Sequence, residues 1–280
     1  MPGEQPEGHY RGTAALNIAV PDRPRELVLV ALDLWDHAAV LRGTATIDRE
    51  DPFWLPRSWR ITTDAGTVHR PDGGGGSSSW LVRFEPAIPE GAREIRVFVG
   101  PDGEALHDDR SLPGEPSLVA SVEGSPTGVR RAPATVDGAA ELGAGVGRLP
   151  SLEDRSVRPI RVLAVSARLD DVVGRDINVL SIETYPDWFI VRLGGSGGLP
   201  GLMSGGMPRQ LRRRWTGEDD RGGRYQGTFK SAHSGWPWII GAPFTPALDP
   251  EATRLTLTFP NPFGGGVVET AIDLGPSLEL

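Results

Sequence analysis

The sequence predicts an all-β protein of two tandem antiparallel β-sandwich domains joined by a flexible linker. Three observations predict it: short strand-type runs, Gly- and Pro-rich punctuation between them, and a set of blocks that occurs twice in the same order. The runs come first. "ELVLVALDL" (26–34) and "DINVLSIET" (176–184) are short and β-branched, and "WLVRF" (80–84), "EIRVFV" (94–99), "WFIVRL" (188–193) and "RLTLTF" (254–259) have period-2 character. In the last, Leu255, Leu257 and Phe259 point one way, and Arg254, Thr256 and Thr258 the other. No segment carries a long apolar stripe of helical period closed by caps. Gly (37) and Pro (26) supply the turns. About seven short strands per half, separated by such turns, indicate a sandwich.

The repeated blocks set the domain count. "LVLVAL" (27–32) matches "INVLSI" (177–182), and "VLR" (40–42) matches "IVR" (190–192). "WRITTDAGTVHR", from Trp59, matches "WTGEDDRGGRYQ", from Trp215. "FEPAIPEGAREIRVFV", from Phe84, matches "FTPALDPEATRLTLTF", from Phe244. Four collinear blocks indicate two copies of one domain, expected over residues 1–124 and 157–280. Between them, residues 125–156 are rich in Ala, Gly and Pro and poor in aromatics, which reads as a flexible linker. "DGGGGSSS" (72–79) and "GGSGGLPGLMSGGMP" (194–208) read as flexible loops within the domains.

Composition excludes several classes. The net charge of −8 makes the chain a poor partner for nucleic acid or anionic lipid. Lys230 is the single lysine among 29 basic residues, which reads as coding bias rather than a phosphate-binding device. Cysteine is absent, so neither a disulfide nor a thiolate nucleophile or ligand is available. The N-terminus has no basic region, and the longest apolar run, "LVLVAL", is far below the ~20 residues of a membrane helix. A cytoplasmic protein without cofactor is expected.

The candidate sites lie mainly in the second copy. Asp219 and Asp220 sit beside Gly222 and Gly223 in "GEDDRGGRY". Only Asp220 has a counterpart in the first copy, Asp64, and the shared Asp-x-Gly pattern suits a turn in which Asp accepts from its own following backbone and Gly takes positive φ. Asp170 and Asp171 could join Asp219 and Asp220 around a divalent metal such as Ca²⁺, which takes 6–8 oxygen ligands. The five histidines form no local ligand pair, and His69 stands where the second copy has Tyr225, as at a packing position. "SAHSGW" (231–236) reads as a loop, and its serines lie in no nucleophile elbow. Arg212 and Arg213 belong to the chain's basic cluster, just before Trp215; the cluster suits either a guarded edge strand or a patch for an anionic partner. Trp236 and Trp238, two apart, suit either core packing or an exposed aromatic platform, and Pro237 between them favours an edge.

The block "W…DDxGxxY" followed by "F-x-P-A-L" and "LTLTF" resembles bacterial immunoglobulin-like sandwich domains of unknown function. Asp220, Gly222, Tyr225, Phe244 and Pro246 carry the resemblance; the first copy keeps Asp64, Gly66, Phe84 and Pro86, with His69 in the tyrosine's place. The resemblance covers about two-thirds of the chain and implies an immunoglobulin-like fold and no catalytic residue. The expected function is therefore a non-catalytic binding or scaffolding protein, with another protein as partner and Arg212, Arg213, Trp236 and Trp238 as contact residues. The alternative is a divalent-metal-dependent enzyme or calcium-binding module built on the acidic loops of the second domain.

Overall fold

The computed structural model describes residues 8–21, 26–46, 58–76, 79–101, 112–122, 130–137, 158–169, 177–196, 214–228, 231–233, 237–261 and 266–274. All secondary structure within them is β. The chain forms two compact units, one of residues 11–127 and 152–162, the other of residues 1–10, 128–151 and 163–280. No helix in the described residues is long and apolar enough to cross a membrane.

The first unit is one mixed-length sheet of eight strands. They are β1 (Tyr10–Ala19), β2 (Leu27–Trp35), β3 (Ala39–Ala45), β4 (Trp59–Thr63), β5 (Val68–Gly76), β6 (Ser79–Glu85), β7 (Glu94–Val99) and β8 (Leu118–Ser121). Their hydrogen-bonded order is β1-β2-β3-β6-β5-β4-β7-β8. The alternation predicted in "WLVRF" appears in β6, where Trp80, Val82 and Phe84 are buried. Strands lie about 4.8 Å apart, so the outer strands of a flat eight-stranded sheet would stand about 34 Å apart. Yet Ala14 of β1 and Leu118 of β8 belong to one buried cluster with Ile61, Phe84 and Val97. The sheet therefore curls around a single core. An immunoglobulin sandwich divides its strands between two facing sheets; here β5 links the two halves of the path, pairing with β4 at Val68 and His69 and with β6 from Arg70 to Gly76. β2 is buried along its whole length, and Val162 packs against Val28, Val30 and Ala31 on the side opposite the main core.

The second sheet has the same order, with additions. Its strands are β9 (Arg130–Ala132), β10 (Ala134–Asp137), β11 (Arg161–Leu169), β12 (Ile177–Thr184), β13 (Phe189–Gly195), β14 (Arg214–Asp219), β15 (Arg224–Thr228), β16 (Ser231–His233), β17 (Trp238–Thr245), β18 (Arg254–Pro260) and β19 (Val267–Asp273). The path runs β10-β19-β18-β14-β15-β17-β13-β12-β11-β9, with β16 on β17. Stripped of β9, β10 and β16, it repeats the first sheet strand for strand. The core holds Phe189 stacked on Phe244 and Trp215 stacked on Phe259, both at 5.1 Å between ring centroids.

Local features recur at the same places. A β-bulge falls between Leu29 and Ala31 and between Val179 and Ser181. Gly66 and Gly222 have φ of 78° and 87°, the left-handed conformation their turns require. Both F-x-P prolines, Pro86 and Pro246, follow cis bonds.

The structure departs from the sequence reading in three places. Residues 130–137, assigned above to the flexible linker, are β9 and β10 of the second sheet. Ala132 and Ala134 are buried there, because every second residue of this small, β-compatible stretch meets the core. The "GGGG" of 73–76, read as a loop, extends β5 and pairs with Arg83 to Trp80 of β6. Ser231–His233, read as loop, is β16; it pairs with Gly241 to Ile239 at the level where the glycines pair in the first unit. The unit boundaries also differ from residues 1–124 and 157–280, since Asn17 Nδ2 donates to Pro159 O at 3.1 Å within the first unit and Tyr10 Oη contacts Ser166 Oγ at 3.3 Å within the second.

Candidate functional site

The acidic turn of the second unit is built from its hairpin. β14 and β15 pair antiparallel up to Glu218 and Arg224, and the turn closes with Gly222 N–H donating to Asp219 O. Asp219 is 6% exposed. Its Oδ1 accepts from the amides of Arg221 at 2.9 Å and Gly223 at 2.7 Å. Its Oδ2 accepts from the Tyr225 hydroxyl, which in turn accepts from the Asp249 amide at 3.1 Å. Burial, reinforced by the Asp219 hydrogen bond, raises the Tyr225 pKa well above its ordinary value. A Cβ at Gly223 would fall 2.5 Å from Asp219 Oδ2 and from the Tyr225 oxygen, so glycine lets this pair close. The network fixes a turn; its acceptors are filled by the protein's own donors.

Asp220 faces elsewhere. Its carboxylate accepts from Thr253 N at 3.0 Å, Thr253 Oγ1 at 2.5 Å and Arg254 N at 3.2 Å. It ties the turn to the loop before β18. Asp64 does the same in the first unit, accepting from Arg93 N at 3.4 Å. The predicted role of the shared aspartate is thus corrected: Asp219 bonds its own turn backbone, while Asp220 and Asp64 bridge to a second loop.

The Thr253 side-chain hydrogen bond, with help from the backbone amides, holds the Asp220 pKa below the ordinary 3.8. A depressed folded value means that the stabilisation is fully present above the unfolded pKa and is lost as pH falls through the folded one. Asp220→Asn is expected to melt at a lower temperature than wild type at pH 7, with the difference closing below about pH 4. A melting difference that persists unchanged at pH 2.5 would mean that the charge on Asp220 is not what holds the loop.

The remaining candidates divide. Asp170 and Asp171 lie outside the described residues, and no group of three His, Asp or Glu among the described residues is placed to hold a metal ion. Arg212, Arg213 and Trp236 also lie outside the described residues. Trp238 is fully buried in the second core. The reason is register: its β17 position pairs with Gly195 of β13 on the core face, so it cannot serve as the exposed half of an aromatic platform. His69 and Tyr225 both turn inward, at 0% and 3% exposure; His69 Nδ1 lies 2.6 Å from Pro86 O.

One matched pair of buried charges was not singled out by sequence. Arg42 Nε and Asp33 Oδ2 lie 2.6 Å apart, and Thr13 Oγ1 donates to Asp33 Oδ1 at 2.7 Å. In the second unit Arg192 grips Glu183 in a bidentate fork, both hydrogen bonds at 2.9 Å. The acid and the arginine are nine residues apart in both copies, and each acid directly follows the repeated hydrophobic block.

No protein-family model matches the chain, and no curated protein matches it. A solved structure, the conserved domain protein from Bacillus anthracis, aligns over 94% of this chain and 92% of its own, at 11% identity and a TM-score of 0.25; at that score the likeness fixes neither fold nor function.

Proposed function

We propose that the chain is a non-catalytic binding or scaffolding protein made of two copies of one β-domain, related to the immunoglobulin-like sandwiches that its sequence resembles. The shared strand order and the matched bulges, turns and ion pairs support the duplication. The partner is another protein, engaged by the second unit, because shared positions serve the fold while differences between the copies are free for recognition.

The observation that carries the reading is the register at one end of the second sheet. Arg214 opens β14 and pairs with Thr228 at the close of β15, and β16 resumes at Ser231 on the same side of β17. In the sequence, the arginine run ends at Arg214, the first residue of β14. The β16–β17 connection carries Trp236. Arg and Trp are enriched at binding hot spots. Trp238 is not part of this surface.

The test uses the full chain as bait. Arg212→Ala/Arg213→Ala/Trp236→Ala is expected to lose the proteins that wild type captures from native lysate. Arg96→Ala, at an exposed position of β7 in the first unit, is expected to keep them. Equal capture by the triple variant, with an unchanged circular dichroism spectrum, would sink the reading.

A further inference from the structure

The second sheet is closed by a strand that comes from outside its repeat. β9 pairs parallel with β11 through Arg130↔Ala167 to Ala132↔Leu169. One residue later the same segment pairs antiparallel with β19, through Ala134↔Thr270 to Asp137↔Val267. β9 and β10 stand at opposite ends of the sheet path. Pro133 joins them, so one extended segment stitches the two edges together. Proline suits the crossover because it has no N–H to leave unpaired, and its carbonyl accepts from Thr270 Oγ1 at 3.0 Å.

The closing segment buries little apolar surface. It sends two alanines inward, Ala132 at 5% and Ala134 at 9% exposure, with Val136 partly buried against the same core. Arg130, Arg131, Thr135 and Asp137 are exposed, and Arg130 Nη2 donates to Val165 O at 3.4 Å. Every repeat strand around it brings larger apolar residues, for example Val165 and Leu169 of β11 and Val268 and Ile272 of β19. Elements with little buried apolar surface open first. When this one leaves, it bares the backbone edges of β11 and β19, and an open edge recruits another strand.

We infer that the slot between β11 and β19 is a strand-acceptor site for an extended peptide with small residues either side of a proline, filled in the free chain by its own residues 130–137. The occupant's chemistry is set by the strand seated there: the alternate positions that enter the core must be small, and the flanking positions are free to be polar. The inference is independent of the contact residues proposed above, Arg212, Arg213 and Trp236.

Two measurements test it. Leu274 N–H donates to Thr253 O, so by the alternation of an antiparallel pair the Thr270 amide points at β18 and the Glu269 amide points at β10. In the intact chain Glu269 is expected to exchange its amide hydrogen at least about tenfold faster than Thr270. Second, the full-chain variant Ala132→Asp/Ala134→Asp unseats the closing strand. It is expected to bind a labelled peptide of residues 128–138 saturably, and to bind the peptide carrying the same two aspartates at least about tenfold more weakly, a difference of roughly 1.4 kcal/mol. Equal protection of Glu269 and Thr270 would overturn the inference even if the variant does not fold. So would a folded variant that does not distinguish the two peptides.

Discussion

Arg192→Met is expected to lower the stability of the second unit by about 3–5 kcal/mol, against a total of about 5–15 kcal/mol for an ordinary domain. The Glu183 side chain is 0% exposed and Arg192 only 7%. Both guanidinium nitrogens that face Glu183 are committed to it, Nε to Oε1 and Nη2 to Oε2. Removing the arginine leaves a carboxylate in the protein interior without its counter-charge, and desolvating an unpaired ion costs far more than the pair gains over a hydrophobic substitute. The double variant Glu183→Leu/Arg192→Met is accordingly expected to stand within about 1 kcal/mol of wild type, or above it. Urea unfolding of the full chain checks both. A single variant less than about 1 kcal/mol below wild type would show that water reaches Glu183 and that the pair behaves as a surface bridge.

That pair also marks where the sequence was legible and where it was not. The repeated blocks "LVLVAL" and "INVLSI" stop one residue short of Asp33 and Glu183, and "VLR" and "IVR" end on Arg42 and Arg192. The charges were hidden because an acid in a strand normally signals a solvent face; only the matching nine-residue spacing in both copies could have announced a buried partner. Strand positions were readable from alternation, as in "RLTLTF", whose Leu255, Leu257 and Phe259 are buried. The sheet path was not, since a curled sheet and a two-sheet sandwich bury the same alternate residues. Composition misled at 130–137 and 73–76, because alanine and glycine have no large side chain to reveal a strand. At the candidate site, Asp219 and Asp220 were visible as neighbours, but Asp219 ends β14 with its carboxylate on Tyr225, while Asp220 opens the turn and reaches Thr253.

Gly43→Leu is expected to cost about 3 kcal/mol or more in the first unit, and Trp80→Ile in the same chain to recover the part that comes from the indole. Gly43 and Trp80 are cross-strand partners on β3 and β6. A Cβ at Gly43 would overlap the Trp80 indole and the Val28 carbonyl oxygen, so any side chain there must displace a buried ring or main chain, at the upper end of the usual overpacking cost of about 1–3 kcal/mol. The second unit solves the same space differently: its equivalent partners are Leu193 and Ile240, both buried. Trp80→Ile alone opens a cavity, with a cost below the roughly 3–5 kcal/mol of a Trp→Ala change. It breaks no hydrogen bond of the indole, whose Nε1 is buried without a partner. Joined in one chain, the two substitutions put a Leu–Ile pair where the second unit has one and remove the overlap with the indole, while the Val28 carbonyl must still shift to admit the leucine. The pair is therefore expected to couple favourably by about 1–2 kcal/mol in a double-mutant cycle read by urea unfolding. Additive costs would show that β3 and β6 do not hold the spacing that β13 and β17 hold, and that the two units share a strand order without sharing a core geometry.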